Sequence, residues 1–333
     1  MRQLKSQLGL LTGKYPGSLE MLAAIGPQLS GESGLARRVR FHQSWYRAVI
    51  LGRSGFGATA SAVRRPLGSI LTDDDARAGL NFTSPAASRL FRDRHAEGWG
   101  LDPLRCIKYL TSSQTLTLNM FGLFAEAPEW FARVLRDVLQ RPNISSIKWM
   151  KIEYAPLRRS RYLGDSTRVD VLVLLATRTG DELLVIEIKY SDRFNSRTVN
   201  IDRPTYRQLA SAHVLWADVD TVLQTSAVNQ LARCHALAMA VSDDLAPNRN
   251  RPPSVVVLHH EFDQRALDIV KKYQALQHDP SLIQALSLRA FVSALVTHAR
   301  SSEQRFAARA LELRYISEVE SQEAWETFLN EER

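Results

Sequence analysis

The sequence predicts an α/β protein in which a sheet is layered between helices. Three strand-like segments follow one another along the chain, IKWMKIEYA, RVDVLVLLAT and ELLVIEIKYS, and TRTGD is the turn between the last two. Such β-rich runs joined by a turn are typical of an antiparallel meander. Helical patterns lie on both sides of the meander, and a further buried strand, SVVVLHHEF, follows it. Strands flanked by helices indicate a layered fold.

Helices are predicted around these strands. The first hundred residues are poorly periodic, with short helices such as ARRVRFHQSWYRAVIL. The stretch from Asp102 to Phe124 is mostly helical, and a second helix begins at Pro128, a residue favoured in the first turn. After the meander, YRQLASAHVLWA and SAVNQLARCHALAMAV have helical periodicity, and helices are predicted from Gln264 to the end.

This pattern divides the chain into three predicted regions. Residues 1–100 form an arginine-rich N-terminal region that packs on the core, residues 101–263 form the core, and residues 264–333 form a C-terminal helical extension. With 333 residues, of which 45% are hydrophobic, the chain is long enough for a large buried core. Extensive disorder is therefore excluded.

The distribution of charge favours a polyanionic partner. The formal net charge is +8, and residues 33–72 contain seven arginines and no acidic residue. A second group, Arg158, Arg159, Arg161 and Arg168, occupies one loop. Arginine binds phosphate in bidentate geometry. The alternative, that these arginines are solvated or paired with acids elsewhere, is equally compatible with charge alone.

A cytoplasmic protein is expected. No apolar run approaches the roughly 20 residues of a membrane span, and the N-terminal segment MRQLKSQLGLLTGKYPG lacks the apolar core of a signal peptide. Two cysteines in 333 residues cannot form a disulfide framework and fit a reducing compartment.

Two strands carry the residues that point to chemistry. Glu187 and Lys189 are two residues apart, so they share one face of a strand with Val185. If the hairpin is symmetric about its turn, Asp170 lies opposite Glu187. Directly opposed carboxylates among apolar side chains are destabilising. A divalent cation relieves this repulsion, and Mg²⁺ prefers oxygen ligands.

Asp170 and Glu187 are therefore predicted to bind Mg²⁺ or Mn²⁺. Lys189 would project into the same site, where it can position water or stabilise charge on a phosphate. Glu153, in the preceding strand, can supply a third carboxylate. The alternative is a pair of surface carboxylates bound by Lys189 or an arginine, which the apolar residues around Glu187 argue against.

The order of these residues resembles the PD-(D/E)xK nuclease superfamily, in which an acid is followed by (D/E)xK across a β-hairpin. Asp170 and the Glu187-Ile188-Lys189 triplet match this motif, although Val169 precedes the acid where the family pattern has proline. The segments FHQSWYRA, LTSSQTLTLNMFG and NQLARCHALA are similar to those of an uncharacterised bacterial branch of the superfamily. The resemblance covers roughly residues 40–260.

The resemblance implies a restriction-endonuclease-like α/β/α core with a mixed central sheet, extra helices at both ends, and Mg²⁺-dependent hydrolysis of phosphodiester bonds. Asp170 and Glu187 would be metal ligands, Lys189 the residue that activates water or stabilises the transition state, and Glu153 an assisting acid. Four polar residues would line or support the site, namely Gln114, Asn119, Gln230 and Arg233. Helix capping or buried hydrogen bonding is an equal alternative for Gln114 and Asn119.

Other chemistries receive little support from the sequence. His259 and His260 are adjacent on a strand and point to opposite faces, and the remaining histidines and cysteines are scattered, so a zinc enzyme is disfavoured. Trp45, Tyr46, Trp149 and Tyr154 can stack on bases, but core packing explains them better.

The sequence thus predicts a metal-dependent nuclease, an endonuclease or exonuclease that acts on DNA. Arg158, Arg168 and the arginines of residues 37–65 would contact the nucleic-acid backbone. RNA is an alternative substrate, and a homodimer is possible. The alternative from another class is a catalytically inactive nucleic-acid-binding or assembly protein that keeps the fold.

Overall fold

One five-stranded sheet lies between two layers of helices in the computed structural model, which describes residues 18–32, 34–98, 100–191, 194 and 198–332. In chain order the strands are β1 (Ile144–Tyr154), β2 (Val169–Thr177), β3 (Asp181–Lys189), β4 (Ser254–His259) and β5 (Ile283–Ser287). Their order in the sheet is the same as in the chain. The first three strands pair antiparallel, whereas β3, β4 and β5 pair parallel. The predicted α/β class and mixed sheet are confirmed.

The described α-helices surround this sheet. They are α1 (Ser18–Ile25), α2 (Gly34–Trp45), α3 (Asp73–Arg77), α4 (Pro85–Ala96), α5 (Pro103–Lys108), α6 (Ser113–Glu126), α7 (Pro128–Val138), α8 (Pro204–His213), α9 (Val219–Gln224), α10 (Asn229–Leu245), α11 (Gln264–Gln274), α12 (Leu288–Thr297), α13 (Ser302–Tyr315) and α14 (Gln322–Glu331). A π-helical turn, Tyr46–Ile50, follows α2, and a 3₁₀ turn, Glu318–Ser321, precedes α14. Among these described residues, no helix combines the length and apolar character needed to cross a membrane.

Two apolar clusters define the layers. The first packs helices α6, α7, α12 and α13 against one face of the sheet, and the second packs α8, α9, α10 and α11 against the other. Side chains of β3 alternate between them: Leu184 and Ile186 join the first cluster, whereas Leu183 and Val185 join the second. Every residue of β3 is buried, as expected for a central strand covered on both faces.

The helical prediction from Gln264 to the end is wrong at β5. Residues 283–287 form a strand that pairs parallel with β4, with Val257 opposite Ala285. The segment IQALS is too short for its periodicity to distinguish a strand from a helix. Only its contact with β4 decides the outcome, so the predicted C-terminal extension contributes one strand to the sheet.

The two ends of the described chain pack together. Phe41 of α2 lies edge-on to Trp325 of α14, with ring centroids 5.0 Å apart, and Trp45 joins the same apolar cluster. Tyr46 is also in this cluster. Core packing, the preferred interpretation of Trp45 and Tyr46, is therefore confirmed. Residues 1–17, to which the signal-peptide argument applies, lie outside the described residues.

Several arginines of the N-terminal segment are bound by other groups of the protein. Arg47 is fully buried and donates to five backbone carbonyls, those of Ala24, Ile25, Arg53, Gly55 and Gly68. Arg40 forms a bidentate pair with Glu32. Arg37 pairs with Glu332, and Arg53 lies 3.2 Å from Asp75. Arg64 and Arg65 are exposed, so these contacts occupy only some of the arginines of residues 37–65 that are predicted to contact the nucleic-acid backbone.

Candidate active site

The β2–β3 hairpin brings an acid, a second acid and a lysine to the same face of the sheet. Its register agrees with the prediction, with Val171 opposite Ile186. Glu187 and Lys189 therefore lie on the face that carries Leu183 and Val185, against α10. Both side chains are almost fully buried. A rigid central strand thus holds two charged groups beneath a helix.

Glu187, Lys189 and Gln230 form a closed triangle. The ammonium of Lys189 lies 2.9 Å from Glu187 Oε1 and 3.2 Å from Gln230 Oε1. Gln230 Nε2 donates to the same Glu187 oxygen at 2.5 Å. Lys189 Nζ also lies 4.7 Å from the ring centroid of Phe194. The predicted residue Gln230 is thus in direct contact with both charged residues of the (D/E)xK motif.

Asp170 lies on β2, one residue beyond the last residue pair between β2 and β3. The last residue pair of the β2–β3 ladder is Val171 with Ile186. Beyond that pair the two strands are joined by a side-chain hydrogen bond, in which the amide of Ile188 donates to Asp170 Oδ2 at 2.7 Å. Burial raises the pKa of Asp170 well above its usual range, and the charges of Glu187 and Glu153 raise it further. The carboxyl group is thus held next to β3 in a repulsive environment.

Glu153 has an unusual backbone conformation at the end of β1. Its φ is 50°, a value uncommon for a residue with a side chain. Arg94, which no sequence pattern singled out, donates to the carbonyl oxygens of Ile152 and Glu153 at 2.8 and 2.9 Å and so stabilises this conformation. Burial raises the pKa of Glu153 to about 7, with a smaller contribution from Glu187.

Gln114 and Arg168 approach Glu153 from two different segments. The Arg168 guanidinium lies 3.8 Å from Glu153 Oε2, and the Gln114 side chain lowers the pKa of the same carboxyl group. Both also donate to the carbonyl of Gly100, Gln114 at 3.0 Å and Arg168 at 2.5 Å. Gly100 has a φ of 98°, and a Cβ there would lie 2.6 Å from Arg94. Glycine is therefore required at position 100, whose carbonyl oxygen accepts these two hydrogen bonds.

Helix α10 adds two further groups. Arg233 donates to Asn229 Oδ1 at 3.1 Å and to Thr167 Oγ1 at 3.3 Å, so it braces the segment that leads into β2. Cys234, one helical turn after Gln230, places its thiol 3.6 Å from Glu187 Oε2. Sequence reasoning assigned Cys234 only to the core, although its i, i+4 spacing from Gln230 placed both on one helix face.

Two predicted residues lie apart from this group. Asn119 is fully buried in α6, on the opposite face of the sheet, and bonds Asn81 and Tyr315. Its amide oxygen accepts from the backbone of Thr83 at 2.9 Å, so the structural alternative applies to Asn119. Arg158 is exposed and lines a cavity of about 580 Å³ beside β1.

The chemistry of this donor set suits a divalent cation, although its three carboxylates do not all place donor atoms within 4.8 Å of one another, a spacing that only His260, Glu261 and Glu318 reach among the described residues. Glu153, Asp170 and Glu187 supply only oxygen donors, as Mg²⁺ and Mn²⁺ prefer. Burial first, and the charges of neighbouring carboxylates second, raise the pKa values of Glu153 and Asp170, so their ionised forms are penalised and repel one another. A bound dication would remove this repulsion.

Comparison with known proteins gives the same assignment. The profile of the PD-(D/E)XK nuclease superfamily matches residues 30–317, most of the chain and all five strands. Searches of the curated proteins and of the solved structures gave no significant match. The profile extends beyond the predicted residues 40–260 and includes most of the C-terminal helices. The chain belongs to the PD-(D/E)XK nuclease superfamily.

Proposed function

We propose that the protein is a metal-dependent nuclease that hydrolyses phosphodiester bonds in DNA, as an endonuclease or an exonuclease. Membership of the superfamily indicates a nuclease, and nucleases of this superfamily use divalent metals. One observation carries the finer proposal: Asp170, Glu187 and Lys189 lie together on one buried sheet face, with carboxylates that repel one another.

Asp170 and Glu187, assisted by Glu153, would hold Mg²⁺ or Mn²⁺. The ion would supply Lewis-acid stabilisation of the phosphate and lower the pKa of a bound water. The hydrogen bond from Ile188 fixes Asp170, and Gln230 fixes Glu187, so both carboxylates are oriented before substrate binds. Such preorganisation is a principal source of catalytic rate enhancement.

Lys189 would act on the phosphate or on the attacking water. Glu187 and Gln230 bind its ammonium and hold it beside the carboxylates. A fixed positive charge next to the carboxylates can stabilise the negative charge that develops on the phosphate oxygens. Its place on a buried strand limits the motion of the group.

Arg168 and Arg158 are proposed to contact the nucleic-acid backbone. Arg168 is partly exposed and lies beside Glu153, and Arg158 is exposed in the same loop. Together with the net charge of +8, they support an anionic polymer as substrate. Binding through such contacts weakens as salt rises.

A second candidate is a protein that binds nucleic acid without cleaving it. The closed triangle of Glu187, Lys189 and Gln230 favours this candidate, because Glu187 is already hydrogen-bonded and paired without a cation. The same assay distinguishes the two candidates.

The test is cleavage of plasmid, linear duplex DNA, single-stranded DNA and RNA in the presence of Mg²⁺, Mn²⁺ or EDTA. We expect metal-dependent cutting of DNA, with rates reduced at least about 100-fold in Asp170→Asn and in Lys189→Met, because each variant removes a group that stabilises the transition state.

Lys148→Met is the matched control for the lysine. Lys148 is on β1 and pairs with Asp181, at the start of β3 rather than at its catalytic end, so this variant should cut at the wild-type rate. Salt-sensitive binding without cleavage under every metal condition would favour the second candidate. Cleavage retained in Lys189→Met would contradict the proposed role of that residue.

A further inference from the structure

A cavity lies beside the candidate active site, at the β1 edge of the sheet. Its volume is about 580 Å³, and it is lined by residues of β1, of the loop after β1 and of α4. Ile152 and Tyr154 both line it, and Glu153, the residue between them, belongs to the candidate active site. A molecule bound in the cavity would therefore lie next to a proposed metal ligand.

Two tyrosines give the cavity an aromatic lining. Tyr154 and Tyr162 pack partly against the second apolar cluster, and both also line the cavity. The hydroxyl of Tyr162 donates to Asp244 Oδ2 at 2.6 Å, which fixes the position of its ring. Aromatic side chains in such grooves are stacking platforms for unpaired bases.

Positive charge lies next to both rings. Lys151 Nζ is 5.4 Å from the ring centroid of Tyr154, and the Arg161 guanidinium is 5.8 Å from that of Tyr162. Arg161 also pairs with the aspartate that binds Tyr162, at 2.8 Å. Lys151 and Arg158 are exposed and line the cavity, and neither has an acid within ion-pair distance among the described residues. Both can therefore bind a phosphate.

The α4 side of the cavity carries two acids instead. Glu97 pairs with Arg94 at 2.9 Å, Asp93 is exposed, and both acids line the cavity. A carboxylate accepts a hydrogen bond from the exocyclic amino group of a base but repels a phosphate. Charge is thus divided between a cationic side on β1 and its loop and an acidic side on α4. This division suits a base joined to a phosphate better than a phosphate alone.

Size and apolar surface also suit a single nucleotide. Sites for small molecules usually have volumes of about 300–1,000 Å³, a range that includes this cavity. Leu157, in the loop after β1, lines the cavity although 90% of its surface is exposed. An apolar side chain in this position can contact the face of a base. In a duplex those faces are covered by neighbouring bases, so the occupant has to be unpaired.

We propose that this cavity binds one unpaired nucleotide of the substrate, beside the phosphate that is cleaved. Its base stacks on Tyr154 or Tyr162, and its phosphate contacts Lys151 and Arg158. A single-stranded segment supplies such a nucleotide without the cost of unpairing and unstacking a duplex. The substrate class is therefore single-stranded DNA, or a duplex with an unpaired segment at the cleavage site. The inference rests on the proposed function for cleavage, whereas binding requires neither metal nor catalysis.

The test is the equilibrium binding of fluorescent oligonucleotides to the full chain, measured by anisotropy in EDTA at one salt concentration. EDTA prevents metal-dependent cleavage, so binding is measured apart from chemistry. We expect single-stranded DNA to bind at least about 10-fold more tightly than the same sequence as a duplex. An abasic strand of the same length and charge should also bind at least about 10-fold more weakly, because it offers no base to stack.

Tyr162→Leu should weaken single-strand binding by about 10-fold and leave duplex binding unchanged, because only unpaired bases stack on the ring. Tyr162→Phe keeps the ring and should bind as the wild type does. Tyr109→Leu is the matched control, since Tyr109 is also partly buried but does not line the cavity. If Tyr162→Leu fails to fold, Leu157→Ser decides, because residue 157 is exposed; it should weaken single-strand binding by about 3-fold or more.

Equal affinity for single-stranded and duplex DNA, or for normal and abasic strands, would overturn the proposal. Equal single-strand affinity in Tyr162→Leu and in the Tyr109→Leu control would overturn it as well. Tight binding of single-stranded DNA without cleavage in Mg²⁺ or Mn²⁺ would contradict the proposed function but support the assignment of the cavity. Metal-dependent cleavage of duplex DNA without preference for unpaired segments would contradict this inference alone.

Discussion

At the scale of one residue, Glu187 shows how a charged side chain is accommodated in the apolar core. Its neighbours Ile186 and Ile188 belong to the apolar core, and its own side chain is 2% exposed. A buried carboxylate without partners is strongly destabilising, but Lys189 and Gln230 both bind Oε1. The group therefore remains in the core because its partners come from its own strand and from α10.

In the proposed function Gln230 is a positioning residue, so Gln230→Leu should lower the cleavage rate without changing the affinity for DNA. We expect the cleavage rate to fall about 10–100-fold, because Glu187 and Lys189 lose their shared partner, as in losses of supporting groups around metal sites. The affinity for DNA, measured in EDTA, should stay at the wild-type value. More metal should be needed for half-maximal rate.

Gln264→Leu, at the exposed start of α11, is the control for introducing a leucine in place of a glutamine. A loss of DNA affinity that equals the loss of rate would show that Gln230 supports the overall structure rather than the ligand geometry.

At the scale of elements, α4 and α6 meet through a glycine. A Cβ at Gly122 would lie 2.6 Å from the Cα of Ala87 and 2.8 Å from its nitrogen. Both contacts are to backbone, which cannot move aside as a flexible side chain can. The helices therefore pack at this distance only because residue 122 has no side chain, and α6 in turn carries Gln114 at its N-terminal end.

Gly122→Ala should destabilise the protein although alanine is the better helix former. Helix propensity alone predicts a gain of about 1 kcal/mol, whereas overpacking costs about 1–3 kcal/mol. We expect a lower free energy of unfolding in urea denaturation. Ser211→Ala, on the exposed side of α8, is the control and should be neutral or slightly stabilising. A Gly122→Ala variant that is more stable than the wild type would show that α4 can move away from α6 without a loss of stability.

At the scale of the whole molecule, buried histidines link stability to pH. His235 is fully buried in α10, where Nε2 lies 3.0 Å from the Pro253 carbonyl and Nδ1 lies 3.2 Å from the Tyr273 hydroxyl. Burial lowers the pKa of His235 to about 4, and that of His42 likewise falls to about 4. Both rings are therefore neutral in the folded protein at pH 7.

Acidification should therefore lower the free energy of unfolding already at pH values above the pKa of the buried histidines. In the unfolded chain histidine has a pKa of about 6.5, so below that pH the unfolded state binds a proton that the folded state does not. The stabilisation by a neutral His235 is complete above about pH 6.5 and is lost progressively as pH falls to about 4, by up to about 1.4 kcal/mol per pH unit.

His235→Gln should give a shallower dependence of the free energy of unfolding on pH over this range. Urea denaturation of both proteins at a series of pH values between 7.5 and 4.5 measures the difference. Parallel curves for the two proteins would contradict the assignment of this pH dependence to His235.

Much of the motif could be predicted because it is local. Period-two alternation placed Glu187 and Lys189 on one face, and a short turn set the hairpin register that brings Asp170 next to β3. The prediction that Gln230 supports the site came from the family resemblance rather than from periodicity. The same local reasoning failed for β5, since five residues carry too little periodicity and the partner strand decides.

The sequence by itself determined the α/β class, the antiparallel meander, and the common face of Glu187 and Lys189. Each of these follows from contacts between residues close in the chain, which a short period records. Only the tertiary structure decided the conformation of Glu153, which Arg94 stabilises from α4, the internal pairing of the N-terminal arginines, and the meeting of His260 with Glu318. These contacts join distant segments, and their formation depends on how the layers pack, which no local pattern encodes.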